Sequence, residues 1–144
     1  MYYLCHEKTY PKKIMLSHHP IQDEAIEAEI YKVNGAAVEV HKRIGNGFPE
    51  KLYGDALEIE FQLRGIPYER EKHLVVHYKG KPLAHDFFVD FLCYGHIIVE
   101  IKALDELAPA HFSQVLNYLK ALQLKYGLLL NFGEPRINIK RVLR

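Results

Sequence analysis

Two short runs, Phe87 to Leu92 and Ile97 to Lys102, put charge where the chain otherwise writes buried sheet. Ile97, Val99 and Ile101 alternate with Ile98, Glu100 and Lys102, so the period of two sets Glu100 and Lys102 on one face with Ile98. Both faces are otherwise apolar, which reads as a central strand. Phe87, Val89 and Phe91 alternate in the same way with Phe88, Asp90 and Leu92. Tyr94-Gly95-His96 between the runs has the composition of a tight turn. A hairpin centred on Gly95 sets Asp90 opposite Glu100.

Two carboxylates facing each other across a strand pair lie about 5 Å apart at Cβ, repel, and each lose hydration on burial. Positive charge has to reach them. Lys102 can neutralise one acid as a buried salt bridge, which is the plain structural reading. An acid pair beside a lysine is also what a hard divalent cation such as Mg²⁺ takes, with oxygen ligands and open positions for water and phosphate.

Asp90, Glu100 and Lys102 in these positions resemble the PD-(D/E)xK nuclease-like superfamily, with Val89 standing where the motif's proline would be. Gly47-Phe48-Pro49-Glu50-Lys51-Leu52-Tyr53 is similar to the signature of the GxxExxY family within it. Glu39 to Gly45 and Gly127 to Phe132 share that likeness, which extends from about Ile26 to Val142. The resemblance implies an α/β fold with a restriction-endonuclease-like core, a mixed central sheet flanked by helices in the order α-α-β-β-β-α-β-β. It implies a nuclease that hydrolyses nucleic acid, DNA first. Asp90 and Glu100 would hold Mg²⁺ or Mn²⁺, with the Ile101 carbonyl as a further oxygen, Glu50 as a direct or water-mediated ligand, and Lys102 as the catalytic lysine. Gln114 and Tyr118 resemble the Gln-x-x-x-Tyr motif of RecB-type nucleases, where an amide and a phenol can hold a phosphate or orient a carboxylate. His41 enters as a substrate-binding candidate by the same likeness.

The 144 residues are expected to form one domain, residues 21–144, behind an irregular tail at 1–20. In the tail, His6, His18 and His19 read as polar tail residues before they read as metal ligands. No apolar run approaches the ~20 residues of a membrane span, and two cysteines, Cys5 and Cys93, argue against a disulfide framework. A reducing cytoplasm is the expected compartment. With 19 Lys and Arg against 18 Asp and Glu, the chain lacks the basic excess of a broad nucleic-acid binder. A bound cation would supply the missing local field, and a homodimer could assemble a basic groove from two chains.

Ile26, Ile30, Val33, Ala37, Val40 and Ile44 recur at three and four, predicting a helix over 23–44 capped by Asp23, with His41 near the end where a cation suits the helix dipole. Pro49 is expected in the first turn of a second helix running to Gly65. There Glu50 meets the positive helix end, and Gly47 serves the tight entry. Strands are expected at Tyr68–Tyr78 and Leu83–Leu92, joined by a turn at Lys79 to Pro82. Asp86 is a rival acid, but roughly 13 Å of strand separates it from Glu100's level. A third helix follows Pro109, then strands at Tyr126–Phe132 and Ile137–Val142. The competing reading is a noncatalytic nucleic-acid-binding or protein-interaction module that kept the polar site, since one fold hosts many functions.

Overall fold

Ile30, Val33, Ala37 and Val40 are buried along one stripe of α1 (Pro20–Ile44), as their spacing requires of a helix laid on a core. The computed structural model describes residues 20–144, so Cys5, His6, His18, His19 and the rest of the expected tail lie outside the described residues. The helix starts at Pro20, three residues before the expected cap. Proline is accepted in a first helical turn, and Asp23 therefore lies inside the helix.

Gly45 and Gly47 take positive φ (77° and 108°) and turn the chain into α2 (Glu50–Arg64). Pro49 stands just outside that helix as its N-cap, with ψ at 154°, instead of in the first turn. Tyr53 fastens the turn: its hydroxyl donates to the Gly45 carbonyl at 2.6 Å and accepts from the Phe48 N–H at 3.2 Å. Its buried ring stacks on Phe132 at 4.7 Å.

A five-stranded mixed sheet has the order β1 (Tyr68–Leu74), β4 (Phe87–Cys93), β5 (Ile97–Lys102), β6 (Tyr126–Asn131), β7 (Asn138–Leu143). The β5 strand is central. Its link to β6 is the one parallel pairing in the sheet, and α3 (Pro109–Leu122) makes the crossover that a parallel link needs. The α1 and α2 helices cover one face through Tyr53, Leu57 and Phe61; α3 covers the other through Val115, Leu116 and Leu119. This is the expected α/β core, with one correction. The two long strands expected over 68–92 are interrupted by a small separate hairpin, β2 (His77–Tyr78) and β3 (Lys81–Pro82). Lys79 and Gly80 at its tip both have positive φ (49° and 77°), the combination a type I′ turn demands, and that local turn closes its own ribbon off the main sheet.

Strict alternation along β4 also fails at Asp90. Phe91 and Cys93 pack with α1 and α2, whereas Val89, two residues before Phe91, packs with α3. Strand β1 makes the same exchange: Tyr68 packs on the α2 side, and Leu74 on the α3 side. Glu71 lies between them with φ of +51°, opposite Asp90 in the register that pairs Arg70 with Phe91 and Lys72 with Val89. A left-handed residue within a strand rotates the ribbon about its axis, so residues on either side of it point to opposite faces. The β1–β4 ribbon therefore changes faces at Glu71 and Asp90.

Candidate active site

The hairpin of β4 and β5 turns through Tyr94 and Gly95, both at positive φ (54° and 74°), and pairs Cys93 with Ile97, Leu92 with Ile98 and Phe91 with Val99. The next pair would be Asp90 and Glu100, as the centring on Gly95 implies, but the backbone ladder stops one step short. Side chains take over. The Asp90 N–H donates to Glu100 Oε1 at 2.9 Å, and the Ile101 N–H donates to Asp90 Oδ2 at 2.7 Å. Each acid thus satisfies a main-chain donor on the other's strand, and the two carboxylates converge where the strands part.

Their electrostatics are adverse. Burial pushes the Glu100 carboxyl well above its ordinary range, and the neighbouring Asp90 charge adds to the rise; the N–H of Asp90 and the charge on Lys102 oppose it. Asp90 is also raised, again chiefly by burial, against the opposing N–H of Ile101 and the ammonium of Lys102. Two half-compensated acids in one buried corner favour any state that brings in more positive charge.

Lys102 is near enough to act on both acids, yet its Nζ donates to Gln114 Oε1 at 3.1 Å and no ion pair joins it to either acid among the described residues. Gln114 Nε2 in turn donates to the Tyr118 hydroxyl at 3.1 Å, one helical turn on. The Gln114 and Tyr118 pair thus fixes where the lysine's ammonium points. The buried salt bridge between Lys102 and one acid is absent.

Glu50, the first residue of α2, lines a cleft of about 260 Å³ with Asp90, Ile101, Arg70 and Glu71. Its carboxyl is raised first by burial, with Lys102 lowering it and Asp90 raising it, so it shares the field of the pair. Arg70 closes the cleft's far side, held at 2.7 Å by Asp55 and at 3.2 Å by Glu58, with its guanidinium 5.6 Å from the Phe91 ring centre. No three His, Cys, Asp or Glu side chains stand gathered as a finished metal cluster among the described residues. The donor set still suits a hard cation: a buried and a partly buried acid meet at one point, and Glu50 lines the adjoining cleft with Asp90.

His41 is engaged elsewhere. Its Nε2 bonds the Glu134 carbonyl at 2.9 Å and its ring lies 6.2 Å from that of Phe132, so it anchors the β6–β7 turn. Asp86 pairs with His73 at 2.8 Å on the surface, away from the acid pair. Asn131, unremarked in an apolar strand pattern, is fully buried. It accepts from the Leu104 and Gly133 N–H groups and donates to the Leu104 carbonyl and Glu134, tying the chain just after Lys102 to the end of β6. Gly133 is forced by that closeness, since a Cβ there would lie 2.3 Å from Leu104 backbone atoms. Glu71 was equally hidden: a glutamate at positive φ carries no composition cue.

The family model described as PD-(D/E)XK nuclease superfamily matches residues 27–142, which span most of α1, all of α2 and α3, and the sheet up to the last residue but one of β7. No curated protein and no solved structure matched the chain. No helix among the described residues is long and apolar enough to cross a membrane.

Proposed function

The chain belongs to the PD-(D/E)XK nuclease superfamily, and from that premise we propose that it hydrolyses phosphodiester bonds in nucleic acid, DNA first, with Mg²⁺ or Mn²⁺ at Asp90 and Glu100. The observation that carries the reading is the parting of β4 and β5 at a buried Glu100 and a partly buried Asp90 while Lys102 is bonded to Gln114. A salt bridge would have tied the lysine to one acid; here its charge reaches both while its ammonium is bonded to Gln114.

A divalent ion held by Asp90 and Glu100, with the Ile101 carbonyl as a further oxygen and Glu50 reaching it through water, would supply Lewis-acid polarisation of the phosphate. Lys102 orients the attacking water and stabilises the charge that develops on phosphorus oxygens. Gln114 fixes the direction of the Lys102 ammonium, and Tyr118 fixes Gln114. The Gly47, Glu50 and Tyr53 spacing supports the finer assignment to the GxxExxY branch: the glycine makes the turn, the tyrosine fastens it, and the glutamate is delivered to the cleft.

Calorimetric titration of Mn²⁺ and Mg²⁺ into the chain and into Glu100→Gln tests this. Binding to the natural chain that is lost in the variant is expected. No binding to the natural chain, with or without a DNA oligonucleotide, overturns metal-dependent hydrolysis. It would also favour the noncatalytic module, a reading that the near-zero net charge supports.

A further inference from the structure

On the α3 side of the sheet, a groove of about 1130 Å³ runs between α3 and the ends of β1 and β4 that have changed faces. We propose that it seats an unpaired stretch of the substrate strand, with a base against Phe87, and so selects single-stranded nucleic acid; the inference rests on the nuclease reading above.

Three observations carry it. The first is continuity. Gln114 and Tyr118 line the groove and are also the pair that holds Lys102, so a strand whose phosphate lies at Lys102 has its adjoining nucleotides at the groove's mouth. The second is the surface on offer. Leu74 and Val76 form an apolar floor, and the half-exposed ring of Phe87 stands 6.3 Å from that of Tyr118. A base in a duplex has both faces covered by its neighbours, whereas an unpaired base offers a face to stack on an aromatic ring, and Asn117 in the same lining can meet a base edge.

The third is charge. The groove's lining includes Lys120 and His77 and no Asp or Glu, and the β2–β3 hairpin next to it carries Lys79 and Lys81. The cleft on the other side of the sheet is lined by Glu50, Glu71 and Asp90 together with Lys51 and Arg70, and Arg70 is already paired with Asp55 and Glu58. The groove thus offers a polyanion leaving the acid pair a lining with no carboxylate to repel it. The exchange of faces at Asp90 places Phe87 there; uninterrupted alternation would have sent it to the α2 side with Phe91.

The test uses the full chain, with EDTA to suppress metal-dependent cleavage, and a short DNA strand containing 2-aminopurine, free and as a blunt duplex. The single strand is expected to bind at least tenfold tighter, with quenching of the 2-aminopurine. Phe87→Ala should weaken it by roughly five- to a hundredfold, the range of one lost stacking contact. Phe88→Ala should not change it, because Phe88 packs on His73 outside the groove. Duplex binding that equals or exceeds single-strand binding, an unaffected Phe87→Ala, or sedimentation showing the groove covered in a dimer that Phe87→Ala dissociates would each overturn the proposal. Metal-dependent duplex cleavage with no single-strand preference would remove the groove and keep the nuclease. Single-strand binding with no cleavage in Mg²⁺ or Mn²⁺ would do the reverse.

Discussion

The two ends of the β4–β5 hairpin are built from the same two strands by opposite rules. At the closed end, Cys93, Leu92 and Phe91 face Ile97, Ile98 and Val99, all buried, joined backbone to backbone through a turn at Tyr94 and Gly95. At the open end, the backbones separate and two carboxylates accept the N–H groups that lose their strand partners. The closed end is stabilised by apolar burial and is chemically inert; burial there even pushes the Cys93 thiol up to about 12. The open end exchanges that stability for two acids that no ion pair joins among the described residues. The difference teaches that a strand pair can present a reactive site without leaving main-chain donors unsatisfied, provided side chains complete the ladder.

The largest effect should come from the open end. Lys102→Met is expected to lower kcat about 10²- to 10³-fold, the scale of one lost charge-stabilising donor, with metal binding retained in calorimetry. Full cleavage by the variant would remove the lysine from the mechanism. Gln114→Leu frees the Lys102 ammonium, and a fall in kcat of about tenfold is expected, with a measurable shift in the pH–rate profile as the lysine relaxes toward the acids.

The pH dependence of stability sharpens the contrast further. Glu100 and Asp90 are raised in the folded chain, so between their ordinary values (4.5 and 3.8) and the raised ones the folded state keeps protons that the unfolded chain has released. Their contribution to stability is therefore greatest at acid pH and is lost as pH rises through that window. Urea unfolding of the metal-free chain at pH 5 and pH 8 should show a decline that is smaller in Glu100→Gln, and Mn²⁺ should restore more stability at the higher pH. An unchanged decline in the variant would assign it to other groups. At the closed end, Gly95→Ala should cost about 1 kcal/mol by placing a Cβ at φ of +74°, with cleavage unaltered. Smallest of all, Glu71→Gly should stabilise the chain by about 1 kcal/mol or less by relieving a left-handed residue. A loss of stability would mean that its side chain, not its backbone, holds the ribbon.

The closed end could be read from sequence because each of its signals is local. Gly95 centres the turn, alternation gives the strand period, and together they place Asp90 opposite Glu100 within one pair of the observed ladder. What could not be read is what happens after alternation breaks. No residue type at 71 announces a positive φ, so the exchange of faces at Asp90 and the position of Phe87 had no sequence signal. Val76 and Leu83 look like continuing strand, while the Lys79-Gly80 turn closes a separate hairpin. Gln114 and Tyr118 were correctly paired by their spacing of four. That the amide would face Lys102 instead of a carboxylate depends on where α3 lies against β5, which is a tertiary matter. His41 and Asn131 show the converse. A suggestive histidine anchors a turn, and an asparagine in an apolar run ties two loops together.

The reciprocal bonds at Asp90 and Glu100 set an order in which a lineage released from cleavage would decay. Replacing either acid with an apolar residue orphans a main-chain N–H in the middle of the sheet, at a cost of about 1–3 kcal/mol, so selection for folding alone retains an oxygen acceptor, carboxylate or amide, at both positions. The Lys102 side chain completes no part of the ladder, and its ammonium is bonded only to Gln114 Oε1 among the described residues. Inactive descendants of such a chain would therefore lose the lysine first and keep an oxygen-bearing side chain, acid or amide, at positions 90 and 100, and a census of relatives should weigh position 102 above those two.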